Sequence, residues 1–242
     1  MMIFTIAGRE LRNMFLSPLA WVILGITEMI FAILFMADVI EYLQQPRADG
    51  VTRFIVSPLF GWAAILLIFV IPLLTMRLIS EERRNKTMAL LFSAPITMTE
   101  IVLGKYLGIV MYLLIMVLAM LLLPMSLMFS SHLDFGMIAT SVLGLTLLLC
   151  SIAAIGLFMS TLTQSPALAA IMAFGAVFVL LIFEAIANWL DNPVTAYISI
   201  FRHYLPFVEG VLDTADALYY VLIIVVFLLL SIRRLELDRV GG

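Results

Sequence analysis

The densest group of ionisable side chains in the sequence is the run Glu81-Glu82-Arg83-Arg84-Asn85-Lys86. Carboxylates and cations at this spacing can form ion pairs with another protein or hold a loop at a membrane surface. They do not form a phosphate-binding loop with the Gly-Lys pair downstream. Tyr106 follows Gly104-Lys105, and Thr99 stands where such a loop needs its first glycine. We therefore expect no ATP hydrolysis, and no bound ATP or magnesium, in this chain.

Other catalytic signatures are missing too. The only histidines are His132 and His203, and no His-Glu-x-x-His or Gly-x-Ser-x-Gly motif occurs. We expect no metal site and no enzyme within the membrane. Glu28 is the deepest acid in an apolar run, about 13 Å from its start at 1.5 Å per residue. It is either a neutral or paired acid that hydrogen-bonds a neighbouring helix, or part of a substrate path.

The composition points to a membrane protein. Of 242 residues, 64% are hydrophobic and 12% charged, whereas a soluble domain has about 45–50% apolar and about 25% charged residues. A net charge of −3 gives no basic surface for nucleic acid. The single cysteine, Cys150, cannot form an intrachain disulfide. The fold class we predict is an all-α polytopic membrane protein.

Six apolar runs are long enough to cross a bilayer. Residues 135–183 carry no Asp, Glu, Lys or Arg, and we divide them at Thr163-Gln164-Ser165-Pro166, since proline suits the first turn of a new helix. The predicted spans lie near residues 19–40, 58–79, 105–129, 136–162, 166–190 and 215–235.

The distribution of basic residues predicts the orientation. With both termini in the cytoplasm, ten of the 13 Lys and Arg residues lie inside and three outside. The inner ones are Arg9, Arg12, Arg77, Arg83, Arg84, Lys86, Lys105, Arg233, Arg234 and Arg239. We therefore predict an N-in, C-in topology.

Residues 1–17 have the pattern of an amphipathic interfacial helix. Arg9 and Arg12 lie on its polar side, and the helical wheel gathers its apolar residues on the other. Those residues are Ile3, Phe4, Ala7, Leu11, Met14 and Phe15. The helix either anchors the chain at the inner membrane surface or also binds a cytoplasmic partner through its polar face.

Residues 80–95 form the longest cytoplasmic segment and are predicted to make a short helix that ends at Pro95. Met88, Leu91 and Phe92 share one helical face. This face either rests on the bilayer or forms an apolar knob for a pocket on another protein. In the second case Glu81, Glu82, Arg83 and Arg84 form a charged rim. Thr97 and Glu100 have the spacing of a capping box at the start of the third span.

Residues 191–215 form the longest outer segment. Aromatic and aliphatic residues are mixed with polar ones there, and a structureless loop of this length is uncommon. We predict short helices at the outer interface, broken near Pro206 and Gly210. They either line an exit path or cap the helix bundle.

Two sequence stretches resemble a known family. The run from Glu81 to Pro95, followed by Gly104-Lys105, is similar to the coupling motif of ABC-2 type permeases, and more narrowly of the gliding-motility branch. It departs from the family pattern at Lys86, where glycine is common, and at Ala89, where an acid is usual. The outer stretch also resembles that branch's re-entrant segment at Phe207, Glu209, Gly210 and Asp213.

This resemblance implies the permease subunit of an exporter in the bacterial inner membrane. A separate ATPase subunit would bind ATP and magnesium. A second copy or a closely related permease, membrane lipids, and an additional periplasmic or membrane component would be the other partners. Arg9 and Arg12 would flank the ATPase contact, and residues 80–95 would be the coupling helix. Its contact residues would be Glu81, Glu82, Arg83, Arg84, Thr87, Met88, Leu91 and Phe92. The alternative is an ATPase-coupled scaffold that transmits force without moving a solute.

Overall fold

The computed structural model describes residues 2–44, 50–88, 96–129, 131–190 and 199–241, without the side chains of 187–190 and 240–241. Within these ranges all regular structure is helical. The helices are α1 (Met2–Leu16), α2 (Pro18–Gln44), α3 (Ser57–Thr75), α4 (Ser80–Arg84), α5 (Met98–Met125), α6 (Phe135–Leu162), α7 (Pro166–Leu190), α8 (Leu205–Val208) and α9 (Thr214–Gly241). A π-helical turn at Thr52–Val56 precedes α3, and a 3₁₀ turn at Ser126–Phe129 follows α5.

Six of the described helical segments are long and apolar enough to cross a membrane, as predicted. They are Pro18–Gln44, Thr52–Arg84, Met98–Phe129, Phe135–Leu162, Pro166–Ile186 and Thr214–Arg239. The predicted break between the fourth and fifth spans is confirmed, since α6 ends at Leu162 and α7 begins at Pro166. The chain is therefore a multi-pass membrane protein.

The third span begins earlier than the apolar run alone predicts. The Glu100 amide donates to Thr97 Oγ1 at 3.2 Å, and the Thr97 amide donates to Glu100 Oε2 at 3.0 Å. This capping box satisfies amides that a helix start leaves unpaired. The predicted capping box is confirmed, and α5 begins at Met98. The helix thus carries Lys105 about 10 Å from its start at 1.5 Å per residue.

Helix α6 lies at the centre of the fold. It packs against α3, α5, α7 and α9, and against the short helices α4 and α8. Its most apolar stretch is more buried than that of any other described span, whereas those of α2, α7 and α9 are the least buried. Small residues on α6 let its neighbours approach closely. A Cβ atom at Gly156 would lie 2.8 Å from Thr75 Cβ, in the last turn of α3.

The break between α3 and α4 rests on α6. Helix α3 ends at Thr75, and Ile79, the N-cap residue of α4, has no side-chain oxygen with which to cap it. Ser160 of α6 supplies that oxygen, since its Oγ accepts from the Ile79 and Ser80 amides at 3.0 Å each. The same hydroxyl donates to the Met76 carbonyl at 3.1 Å. One side chain of α6 therefore satisfies backbone groups on both sides of the break.

We predict that Ser160→Ala lowers the free energy of unfolding by about 1–3 kcal/mol, because two buried amides lose their acceptor. The matched control is Ser151→Ala, since Ser151 is also fully buried on α6 but donates only to Leu148 of its own helix. Unfolding of the purified chain by titration with SDS measures both. Equal losses for the two variants would contradict this role of Ser160.

Candidate functional site

Lys105 is the centre of a buried ion-pair group at one end of the helix bundle. Its residue is 3% exposed, and its ammonium lies 2.9 Å from Glu82 Oε1 on α4 and 3.3 Å from Glu10 Oε2 on α1. A buried cation without a partner is costly, so the two carboxylates stabilise the lysine in this position. The pairs connect three elements that are far apart in the sequence.

The approach of α1 to α5 depends on Gly104 and Gly108, which flank Lys105. A Cβ atom at Gly104 would lie 2.6 Å from Ile6 Cβ, and one at Gly108 would lie 2.7 Å from Glu10 Cβ. Two glycines four residues apart form a groove into which a second helix packs closely. Ala7 is completely buried in this contact. The N-terminal helix therefore packs on the third span, which brings Glu10 within reach of Lys105.

Arg83 attaches the opposite side of α4 to the last helix. Its guanidinium forms an ion pair with Asp238 of α9, and Asp238 also lies 3.5 Å from Arg234. Because Glu82 and Arg83 are adjacent, they extend from α4 in different directions, to α5 and to α9. We call Glu10, Glu82, Arg83, Lys105 and Asp238 the α4 cluster.

The end of α4 shows why glycine would suit the position that Lys86 occupies. The Lys86 amide donates to the Arg83 carbonyl at 3.2 Å, and the Thr87 amide donates to the Glu82 carbonyl at 3.0 Å. This pair of bonds is a Schellman motif, whose residue after the helix takes a left-handed conformation and is usually glycine. Lys86 has φ 58°. The predicted helix over 80–95 is wrong at Asn85–Thr87, where the chain turns, and residues 89–95 of that prediction lie outside the described residues.

The remaining predicted coupling residues have different surroundings. Glu81, Arg84 and Thr87 are exposed, whereas Met88 is buried in the chain's own hydrophobic core. Leu91 and Phe92 lie outside the described residues. Of the four residues predicted as a charged rim, Glu81 and Arg84 are therefore free to meet a partner, while Glu82 and Arg83 form ion pairs within the chain.

A cavity of about 680 Å³ separates the polar side of α1 from α4. Arg9 lines it, whereas Arg12 is exposed on α1 beyond it. Its charged lining residues are Arg9, Glu10, Arg77, Glu81, Glu82 and Lys105. An opening with both signs of charge is suited to charged side chains of another protein.

Glu28 is the acid nearest the middle of the first span, whereas Asp38 and Glu41 lie towards the end of α2. Its residue is partly exposed on α2, and its Oε1 atom is shielded and has no hydrogen-bond partner among the described residues. The described part of this single chain therefore does not supply the neighbouring-helix hydrogen bond that the sequence allowed.

The outer segment packs into the other end of α6. Phe207 of α8 is fully buried, and a Cβ atom at Gly144 would lie 2.7 Å from its Cγ. Tyr204 donates to the Phe60 carbonyl of α3 at 2.9 Å, and burial raises the pKa of this hydroxyl, which stays protonated. Gly144 is nine residues into α6, about 13 Å from its start at 1.5 Å per residue.

The other outer residues predicted from the sequence surround this contact. Gly210 has φ 88° and ends α8, and the exposed Asp213 accepts from the Ala215 amide at 2.9 Å near the start of α9. Glu209 is exposed and lines a cavity of about 420 Å³. His203 Nδ1 lies 2.6 Å from Asp216 Oδ1, which joins the segment to α9.

Sequence reasoning missed the residues that connect these elements. Lys105 lies in a glycine pair at the start of an uncharged run, and a cation there needs buried partners. That signal could have identified Lys105 as structural. Its partner Glu10, and Asp238 as the partner of Arg83, could not be assigned without the packing. Ser160 carried only the weak signal of a small residue four positions after Gly156, a spacing that is common in membrane helices.

Comparison with known proteins agrees with this architecture. A family model described as ABC-2 family transporter protein matches residues 4–238, and the chain belongs to that family. Family membership implies the permease component of an ABC transporter, typically a non-catalytic membrane subunit that works with an ATP-binding subunit. None of the curated proteins matches the chain.

We predict that Phe207→Ala lowers the free energy of unfolding by about 3–5 kcal/mol, because it leaves a cavity against Gly144. Leu205→Ala is the matched control on the same short helix, since Leu205 is 56% exposed. Thermal unfolding of both variants in detergent tests this. A loss for Leu205→Ala as large as that for Phe207→Ala would show that the outer segment is not held by this contact.

Proposed function

We propose that the chain is the permease subunit of an ABC exporter in a bacterial inner membrane, driven by a separate ATPase. The observation that carries the proposal is the attachment of α4 to the ends of four other helices. Glu82 joins it to Lys105 of α5, which also pairs with Glu10 of α1. Arg83 joins it to α9, and Ser160 of α6 caps it. A partner that displaces α4 therefore displaces the spans with it.

The exposed residues around α4 supply the contact surface for the ATPase. Glu81 and Arg84 are free at the end of the bundle, beside the cavity that Arg9 lines. Arg12 extends the charged surface along α1. Leu91 and Phe92 follow as the apolar part of the contact. Charged rims of this kind steer partners together, and buried apolar side chains hold them.

Exposed apolar faces on the least buried spans support a dimer. Large side chains on α2 recur at alternating spacings of four and three residues, the spacing of a helix–helix seam. They are Val22, Ile26, Met29, Ile33, Met36, Ile40 and Leu43. On α7, Leu168, Ile171, Phe178 and Ile182 are exposed. We assign these faces to a second copy or a closely related permease, and the remaining apolar surface to lipid.

The outer segment belongs to the same mechanism. Phe207 is held about 13 Å along α6, as a re-entrant segment would be. Displacement of α6 at its α4 end would then move the outer segment, as export requires. The shielded carboxyl of Glu28 lies on the partly exposed α2 and would face the path or the second copy.

We predict that Leu91→Glu or Phe92→Glu abolishes the ATP hydrolysis that the permease stimulates, because a carboxylate cannot enter an apolar pocket without a large desolvation cost. ATPase rates of the reconstituted complex measure this, together with export screened over lipids, glycans, peptides and drugs. Leu212→Glu is the control, since Leu212 is exposed in the outer segment. Full stimulation and normal ATPase binding in both variants would refute the proposed contact.

We predict that cysteine at Ile33 cross-links two copies in membranes, because this position lies in the exposed seam of α2. The background is Cys150→Ala, which removes the native thiol. Leu118→Cys on α5 is the control at similar exposure. Oxidation followed by non-reducing electrophoresis gives the readout. Equal cross-linking at both positions would contradict the assigned dimer face, and a cross-link formed only with a coexpressed related permease would assign a heterodimer.

A further inference from the structure

The least replaceable charge in the α4 cluster is the ammonium of Lys105. It touches one carboxylate on α1 and one on α4, and the lysine itself lies on α5, so the ammonium connects three helices. The lysine side chain is 4% exposed, whereas those of Glu10 and Glu82 are 17% and 19% exposed. Loss of the ammonium would leave the partly buried carboxylates of Glu10 and Glu82 without the cation that they share.

The backbone around Lys105 is shaped for this contact. Gly104 and Gly108 bring α1 against α5. The Glu82 carboxylate reaches Lys105 from a different helix, α4. Glu82 Oε2 is shielded and has no hydrogen-bond partner among the described residues. The attachment of Glu82 to the helix bundle therefore depends on the contact between its Oε1 atom and Lys105. Without Lys105, the α5 side of α4 would lose its ionic attachment.

The other attachments of α4 do not replace this one. Arg83 contacts α9, and Ser160 caps the backbone at the start of α4, so neither joins α4 to α1 or α5. A force on α4 can reach α6 and α9 through them. It reaches the N-terminal helix and the third span through Lys105.

We propose that Lys105 is a positioning residue that links α4 to α1 and α5 through its two ion pairs, so that these three elements move together when an ATPase displaces α4. The inference rests on the proposed function for the source of the movement. It assigns to Lys105 a role in transmission that is separate from contact with the ATPase, since the lysine is buried.

The first test measures hydrogen–deuterium exchange of residues 76–88 in the full-length chain in nanodiscs, without an ATPase. Lys105→Met should make this segment exchange at least about tenfold faster, because its opening no longer breaks an ion pair. Arg233→Met is the control, since it removes an exposed cation that pairs with Glu236 within α9. Unchanged exchange in Lys105→Met, or an equal rise in Arg233→Met, would overturn the proposal.

Two further variants distinguish loss of the α4 attachment from the destabilising effect of unpaired carboxylates. The neutral triple variant Glu10→Gln, Glu82→Gln and Lys105→Met has no unbalanced carboxylate, so its thermal stability should recover while the segment still exchanges fast. The exchanged pair Glu82→Lys with Lys105→Glu, made together with Glu10→Gln, should restore protection to within about twofold. Full protection in the neutral variant, or none in the exchanged one, would overturn the proposal.

The last measurement adds the ATPase subunit and records the ATP hydrolysis that each variant stimulates. Lys105→Met should lose most of the stimulation, and the exchanged pair should regain it. Normal stimulation in a variant whose α4 exchanges fast would overturn the role in transmission. Failure of the wild-type chain to stimulate any ATPase would instead refute the proposed function, while the exchange data would still decide whether Lys105 holds α4.

Discussion

The close approach of other elements to α6 is the constraint on which the rest of this structure depends. At one end Gly144 accepts the ring of Phe207, and at the other Gly156 and Ser160 accept the break between α3 and α4. A larger side chain at either glycine would displace its neighbour. Since packed interiors transmit displacement rather than absorb it, α6 physically connects the outer segment with α4. The coupling proposed above would use this connection to cross the membrane.

Scarce charge is concentrated where the elements must be held together. Only 12% of the residues in this chain are charged. Even so, Lys105 forms ion pairs with Glu10 and Glu82 within the protein instead of being exposed to solvent. Such buried pairs contribute little net stability, but breaking one by removing a partner costs about 3–5 kcal/mol. The α4 cluster is therefore better understood as a device that specifies one arrangement of α1, α4, α5 and α9 than as a source of stability.

Much of the fold could be predicted because it follows from local rules. The long apolar runs predicted six spans, Pro166 predicted a helix start, and Thr97 with Glu100 predicted the cap of α5. The site could be predicted only in part. Charge density and helical spacing marked Glu82, Arg83 and Met88 as candidate contacts within residues 80–95, but they could not show that all three turn into the chain, because that depends on Lys105, Asp238 and the core. Long-range partners leave no periodic signal in one sequence.

In the proposed mechanism, α4 and α5 move as one body when the ATPase acts. Spin labels at Asn85, after α4, and at Leu122, on the exposed side of α5, report the distance between these two positions. One copy per dimer is labelled, in a Cys150→Ala background that removes the native thiol. We predict that the distance from Asn85 to Leu122 within one chain stays the same when ATP binds to the complex. The distance between Asn85 labels on the two copies should shorten. A change in the distance within one chain, with no change between copies, would contradict this mechanism.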